Sequence, residues 1–260
     1  MKRAMLGVLA VVIAATFAPA AASAAENWKF AVTPYLWAAG ISGTATAKGH
    51  DADVDVSFGD IVDDLDFGVM VNFQARKGRF GLYTDVTYLG VSDTTPVTTP
   101  AGATILNADW SGDSWIVDFG ASWETARWGE AAAGKGGFLD LFLGGRYWSM
   151  DTEIKATSPY FFPQDLKKTF DWVDPVVGAR CVASLTPKLQ LIARGDVGGF
   201  EIGDGSKLTW SASAYLGWRF SPLVGAWAGY KHLDVEREDD KDNEVDLAFS
   251  GPVLGISFTF

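Results

Sequence analysis

The sequence predicts an all-β chain folded as an antiparallel transmembrane β-barrel of about ten strands, within a range of roughly eight to twelve. Three observations lead there: aromatic-rich composition with scattered glycine, segments of alternating polarity, and polar connections of alternating length. The chain has 260 residues, 13% aromatic and 20% charged, with 29 Gly and 11 Trp. So many aromatics and so little charge exclude a disordered chain. Cys181 is the single cysteine, which excludes an internal disulfide. The net charge of −11 comes with no basic cluster, so nucleic acid is excluded as a partner, since phosphate contacts need grouped Lys and Arg.

The first element is a leader. Lys2 and Arg3 precede the apolar run Met5 to Ala18, then Pro19 and the small-residue end Ala22-Ser23-Ala24. A basic start, an apolar middle and an A-x-A site make a secretory signal peptide, residues 1–24, with residues 25–260 as one exported domain. Beyond it no run approaches the ~20 apolar residues that a membrane helix requires.

The strands follow. In hydrocarbon every backbone polar group needs an internal partner, so only helices and closed barrels span. Residues 79–89 set Phe80, Leu82, Thr84, Val86 and Tyr88 on one face against Arg79, Gly81, Tyr83, Asp85 and Thr87. Residues 114–125 set Trp115, Val117, Phe119, Ala121 and Trp123 against Ser114, Asp118, Gly120, Ser122 and Glu124. Residues 207–219 and 67–76 repeat the pattern, and 28–38, 138–150, 170–184, 188–199, 224–236 and 245–260 show it more weakly. That is an even set, as bacterial barrels require.

The connections then orient the barrel. Short turns at 77–79, 186–187 and 221–222 belong to the periplasmic side, although 127–137 is long for it. Long polar stretches at 41–66, 91–112, 152–168 and 237–244 belong outside, with a shorter turn at 203–206. Residues 59–66 read as one or two helical turns, either plugging the barrel mouth or lying on the surface. Trp28, Tyr35, Trp37, Trp123, Trp128, Tyr147, Trp148, Trp210, Trp218 and Tyr230 recur toward strand ends, as aromatic girdles do.

The alternation places one chemistry on the inner face. Arg76, Arg79, Asp85, Asp118, Glu124, Asp140, Arg146, Asp174, Arg180, Arg194, Asp196, Arg219 and Lys231 are the charged lumen candidates. Ionisable groups at membrane depth are costly unless paired or hydrated, so their alignment predicts an internal salt-bridge network or a charged constriction. About ten strands leave a narrow interior, which excludes a wide diffusion pore.

The chain ends Leu254-Gly255-Ile256-Ser257-Phe258-Thr259-Phe260. This resembles the C-terminal signature of bacterial outer-membrane β-barrel proteins. The resemblance implies the cell outer membrane of a Gram-negative bacterium, with Phe258 and Phe260 read by the barrel-assembly machinery. It also implies outer-membrane lipid and lipopolysaccharide as partners. Gly144-Gly145-Arg146-Tyr147-Trp148 and Gly229-Tyr230-Lys231-His232-Leu233-Asp234 resemble strand motifs of porin-like outer-membrane proteins, and they name no substrate.

Catalytic and metal chemistry find little support. His50 and His232 are the only histidines. His232 and Asp234 lie two apart, the order reversed from the acid-then-histidine spacing of some barrel proteases, and His232 falls on the outward girdle face. No Ser lies two residues from either His. An EF-hand starting at Asp51 fails, because Val56 and Val62 stand where Gly and Glu are needed. The reading is a structural or porin-like barrel with a narrow charged lumen, without cofactor, metal or catalytic centre. The alternatives are a rim-located protease or lipid-modifying enzyme and an adhesin acting through its loops; the oligomeric state is left open.

Overall fold

A computed structural model describes residues 27–47, 50–98, 104–130, 135–157, 164–238 and 244–260. The signal peptide expected at 1–24 lies outside them. Ten strands close into an antiparallel barrel: β1 (Lys29–Trp37), β4 (Leu65–Lys77), β5 (Phe80–Thr98), β6 (Thr104–Glu130), β7 (Lys135–Thr157), β8 (Gln164–Ser184), β9 (Leu189–Gly199), β10 (Leu208–Arg219), β11 (Val224–Glu238) and β12 (Glu244–Thr259). The β1–β12 pairing closes the ring and leaves no edge in the membrane.

Two further strands and a helix stand on the long β1–β4 connection. β2 (Gly40–Ala47) continues the line of β1 along the outer half of β12, and β3 (His50–Val56) folds back on β2. Helix α1 (Phe58–Asp63) then leads into β4 and buries no residue, so it lies on the surface and does not plug the mouth. Ser57 caps it: its hydroxyl accepts from the Asp60 N–H, and the Asp60 carboxylate accepts from the Ser57 N–H at 2.9 Å.

The stretches 91–112 and 152–168, expected as loops, are largely strand. β5 pairs β6 out to Thr98, and β6 pairs β7 as far as Asn107↔Thr157. Polar composition does not prevent a regular backbone there, because paired strands need only their own hydrogen bonds. Threonine and valine at 94–98 suit that geometry. Beside this tall wall, the β9–β10 connection is a short turn, so the outer rim is uneven.

The periplasmic turns are tight for local reasons. The Thr186 hydroxyl accepts from Lys188 N and Leu189 N, and the Ser221 hydroxyl accepts from Leu223 N and Val224 N. Both turns carry proline, at Pro187 and Pro222, where no ladder hydrogen bond is lost.

Period-two alternation then sorts side chains into lipid and lumen. Trp115 and Phe119 are 41% and 44% exposed on the outside, while Asp118 between them is 6% exposed. Inside, bulky rings lie over glycines of adjoining strands. A Cβ at Gly178 would meet Phe142, and one at Gly217 would run into Trp227. Large and small residues thus alternate around the lumen and fill it.

Candidate functional site

The site that the inward alternation builds is the lumen itself, and it is filled in storeys. At the periplasmic end Asp140, fully buried on β7, receives Arg76 of β4 and Arg180 of β8 on one oxygen, the latter at 2.6 Å. Glu124 receives Arg76 at 3.1 Å and Arg127 at 2.6 Å. Arg180 also donates to the Gln74 carbonyl, Gln74 to Asn72 at 2.8 Å, and Asn72 to Asp85 at 2.8 Å. Asp85 takes a second hydrogen bond from the Tyr35 hydroxyl at 2.6 Å, and Lys231 Nζ lies 3.8 Å away. One continuous polar chain therefore crosses the lumen from β8 to β11.

Above it Arg146, with no exposure at all, holds the middle storey. Its Nε donates to Asp118 at 2.6 Å, and its two Nη atoms donate to Asp196 and the Thr209 hydroxyl, each at 2.9 Å. Asp196 also accepts from Ser211 at 2.6 Å and faces Arg194 Nε at 3.5 Å. Arg194 spreads over the rings of Tyr83 and Phe142 at 4.7 and 4.3 Å. The cavity between Gln74, Arg76, Tyr83, Phe142, Arg180 and Arg194 is about 20 Å³, the room of one water molecule. Two buried atoms, Asp140 Oδ1 and Arg194 Nη2, have no hydrogen-bond partner among the described residues.

The upper storey is aromatic. Trp148 and Trp172 stack at 5.6 Å and pack with Trp37, Ile116, Leu233, Val235, Val253 and Phe249. Asp174 sits beneath this layer, with no salt-bridge partner among the described residues. It accepts from both indole N–H groups, at 2.9 and 3.1 Å, and from the Ser206 N–H and hydroxyl, at 2.6 and 2.7 Å. Those bonds tie down the β9–β10 turn, where Phe200 and Glu201 take φ of 65° and 56°, a left-handed backbone that costs ordinary residues energy. Arg237 roofs the stack, 4.5 Å over the Trp172 ring.

Two charged lumen candidates stand apart from these storeys. Arg79 lies exposed in the turn between β4 and β5, and Arg219 lies exposed at the periplasmic end of β10. Both fall at a strand end: Arg79 lies outside the ladder, while Arg219, still paired with Gly225, opens to solvent at the rim beside Gln190, Trp227 and Ser257. Three expected girdle aromatics, Tyr35, Trp37 and Trp148, also point inward. Tyr147 faces out, so its neighbour Trp148 must face in.

The uncharged members Asn72, Gln74, Thr209 and Ser211 fall on the polar faces that the alternation marks, yet neither they nor Ser206 belong to the charged lumen set. Except for Ser206, which lies in the turn before β10, their inward parity was the available signal, and a search for charge alone passes over them. Phe258 faces outward, and Phe260 packs on Phe30 at 6.1 Å between ring centroids.

Neither a protein-family profile nor a characterised protein matches the chain by sequence. The fold does have solved counterparts. The outer-membrane protease OmpT of Escherichia coli superposes with a TM-score of 0.50 at 8% identity, covering 90% of this chain and 97% of its own. The translocator domain of the autotransporter NalP of Neisseria meningitidis gives 0.43 at 14% identity, covering 90% and 89%. The attachment invasion locus protein Ail of Yersinia pestis gives 0.33 at 10% identity, covering 90% and 99%. At such identities the likeness shows the barrel fold alone.

Proposed function

Taking the chain as a bacterial barrel of the outer-membrane type, we propose that it is a closed structural barrel. In this reading its lumen is packed and does not conduct, and its outer surface and extracellular strands carry its work. The observation that supports this is the double filling of the lumen: a cross-linked ion-pair storey lies under a continuous aromatic storey. Inside, Arg76, Arg146 and Arg180 are matched by carboxylates on other strands and Arg194 faces Asp196 on its own strand, so little field remains to select a passing solute. Desolvated charges of this kind persist because they are paired and hydrogen-bonded. Outer-membrane lipid, lipopolysaccharide and the barrel-assembly machinery remain the proposed partners.

Planar-bilayer recording of refolded protein tests the reading. Wild type is expected to give no unitary steps, and a Trp37→Ala/Trp148→Ala variant to leak. Regular steps from wild type would replace the closed barrel with a small-solute channel.

A further inference from the structure

The outward face of the barrel carries a second constellation, separate from the lumen. β11 presents His232 and Asp234 on that face, and β12 places Ser250 opposite His232 in register. His232 Nδ1 lies 2.6 Å from Ser250 Oγ, and its Nε2 lies 3.9 Å from Asp234 Oδ2. The Trp210 ring packs on the imidazole at 4.6 Å between centroids. His232 and Asp234 are 28% and 24% exposed, so the group is sheltered yet reachable.

A hydroxyl within hydrogen-bond reach of an imidazole, whose other nitrogen faces a carboxylate, is the arrangement that activates serine as a nucleophile. The carboxylate is farther than a hydrogen bond, a gap common in unliganded sites that tighten around substrate. Sequence spacing hid the group, because Ser250 comes from the neighbouring strand.

Its depth identifies the substrate class. Toward the periplasm the outward residues include Leu254, Ile256 and Phe258 of β12 and Tyr230 of β11, all exposed and lipid-facing. Toward the outside the same faces carry Asp246 and Glu244 on β12, and Glu236 and Glu238 on β11, the last with Lys207 Nζ at 2.7 Å. Ser250 and His232 therefore stand where apolar surface gives way to charge, the level at which acyl chains meet headgroups. The electrophile offered to a barrel wall at that level is the acyl ester of a lipid.

We propose that Ser250 and His232 are catalytic residues of an esterase that removes acyl chains from outer-leaflet lipids, with Asp234 as the positioning residue. Ser250 Oγ attacks the ester carbonyl carbon while its proton passes to His232. The carbon–oxygen bond to the lipid alcohol then breaks, and His232 returns the proton to that leaving oxygen. Water, deprotonated by His232, attacks the acyl-Ser250 ester; fatty acid leaves and the hydroxyl is restored. The cycle consumes one water and needs no redox partner. Asp234 holds the imidazole and stabilises its protonated form.

The test uses full-length refolded barrel, its folding checked by heat-modifiable migration, in phosphatidylcholine vesicles with a labelled acyl chain. Wild type is expected to release labelled fatty acid, and Ser250→Ala and His232→Ala to lose at least about a hundredfold in rate. Asp234→Asn is expected to lower kcat with KM unchanged, and Asp234→Glu to restore part of the rate. A fluorophosphonate probe should form a phosphorus–oxygen bond at Ser250 with loss of fluoride, found by peptide mass, and should fail on His232→Ala. Folded wild type that releases no fatty acid and takes no label overturns the proposal, as does release that persists in Ser250→Ala. Conductance leaves it untouched, so it fails independently of the closed lumen.

Discussion

Arg146 and Asp118 face each other across β7 and β6, with the guanidinium Nε donating to the carboxylate at 2.6 Å and Arg146 wholly out of water. The same guanidinium reaches Asp196, so it is the shared counter-ion of two buried carboxylates. Arg146→Ala should therefore cost roughly 3–5 kcal/mol, the loss typical when one partner of a buried pair is removed. Urea unfolding in detergent measures it. The double variant Arg146→Met/Asp118→Asn should lose less than the two single changes added together.

Phe119, next to Asp118, faces lipid. Phe119→Arg should reduce assembled barrel sharply, since a charge near the midplane costs ~2–4 kcal/mol. Asp118→Asn should still assemble, with its effect confined to lumen pairing. The heat-modifiable fraction of each variant in outer-membrane preparations decides between them. Tolerated Phe119→Arg together with failed Asp118→Asn would contradict the orientation of β6.

Gly217 underlies the Trp227 ring on the neighbouring strand. Gly217→Val should destabilise the refolded barrel by about 1–3 kcal/mol through overpacking. In a Trp227→Ala background the same change should cost less, because the colliding ring is gone. Thermal unfolding of the four proteins gives the coupling.

At the start of α1, hydrogen bonds from the Ser57 hydroxyl and then from its backbone N–H hold the Asp60 carboxyl below the usual carboxylate range. A lowered value in the folded state means that the cap contributes above the ordinary carboxylate value and is lost as pH falls through the lowered one. Amide protection in α1 should thus fade below about pH 4. Asp60→Asn should remove that pH dependence, as followed by hydrogen exchange.

Phe260 packs on Phe30 beside the β1–β12 seam. Phe260→Ala should lower assembled barrel more than it lowers synthesis, seen as a reduced heat-modifiable band at equal total protein.

Which way most side chains point follows from local alternation alone. Period two is a local property, so the faces of β5, β6 and β10 were legible from Phe80, Trp115 and Trp210 with their polar neighbours. It misled at strand ends, where Arg79 leaves the ladder and Arg219 opens to solvent at the rim, and at Tyr147 and Trp148, which cannot both belong to a girdle because adjacent residues must part. It also read the polar outer stretches as loops, because solvation and irregular backbone give the same composition.

Who meets whom depends instead on the closed fold. Arg180 reaches Gln74 across the lumen, Asp174 finds Ser206 and two indoles, and Ser250 comes to rest against His232. These meetings depend on strand register and on the curvature with which the sheet closes. Both are set by connection lengths and by the summed packing of all ten strands, and neither is written in the local alternation of any one of them.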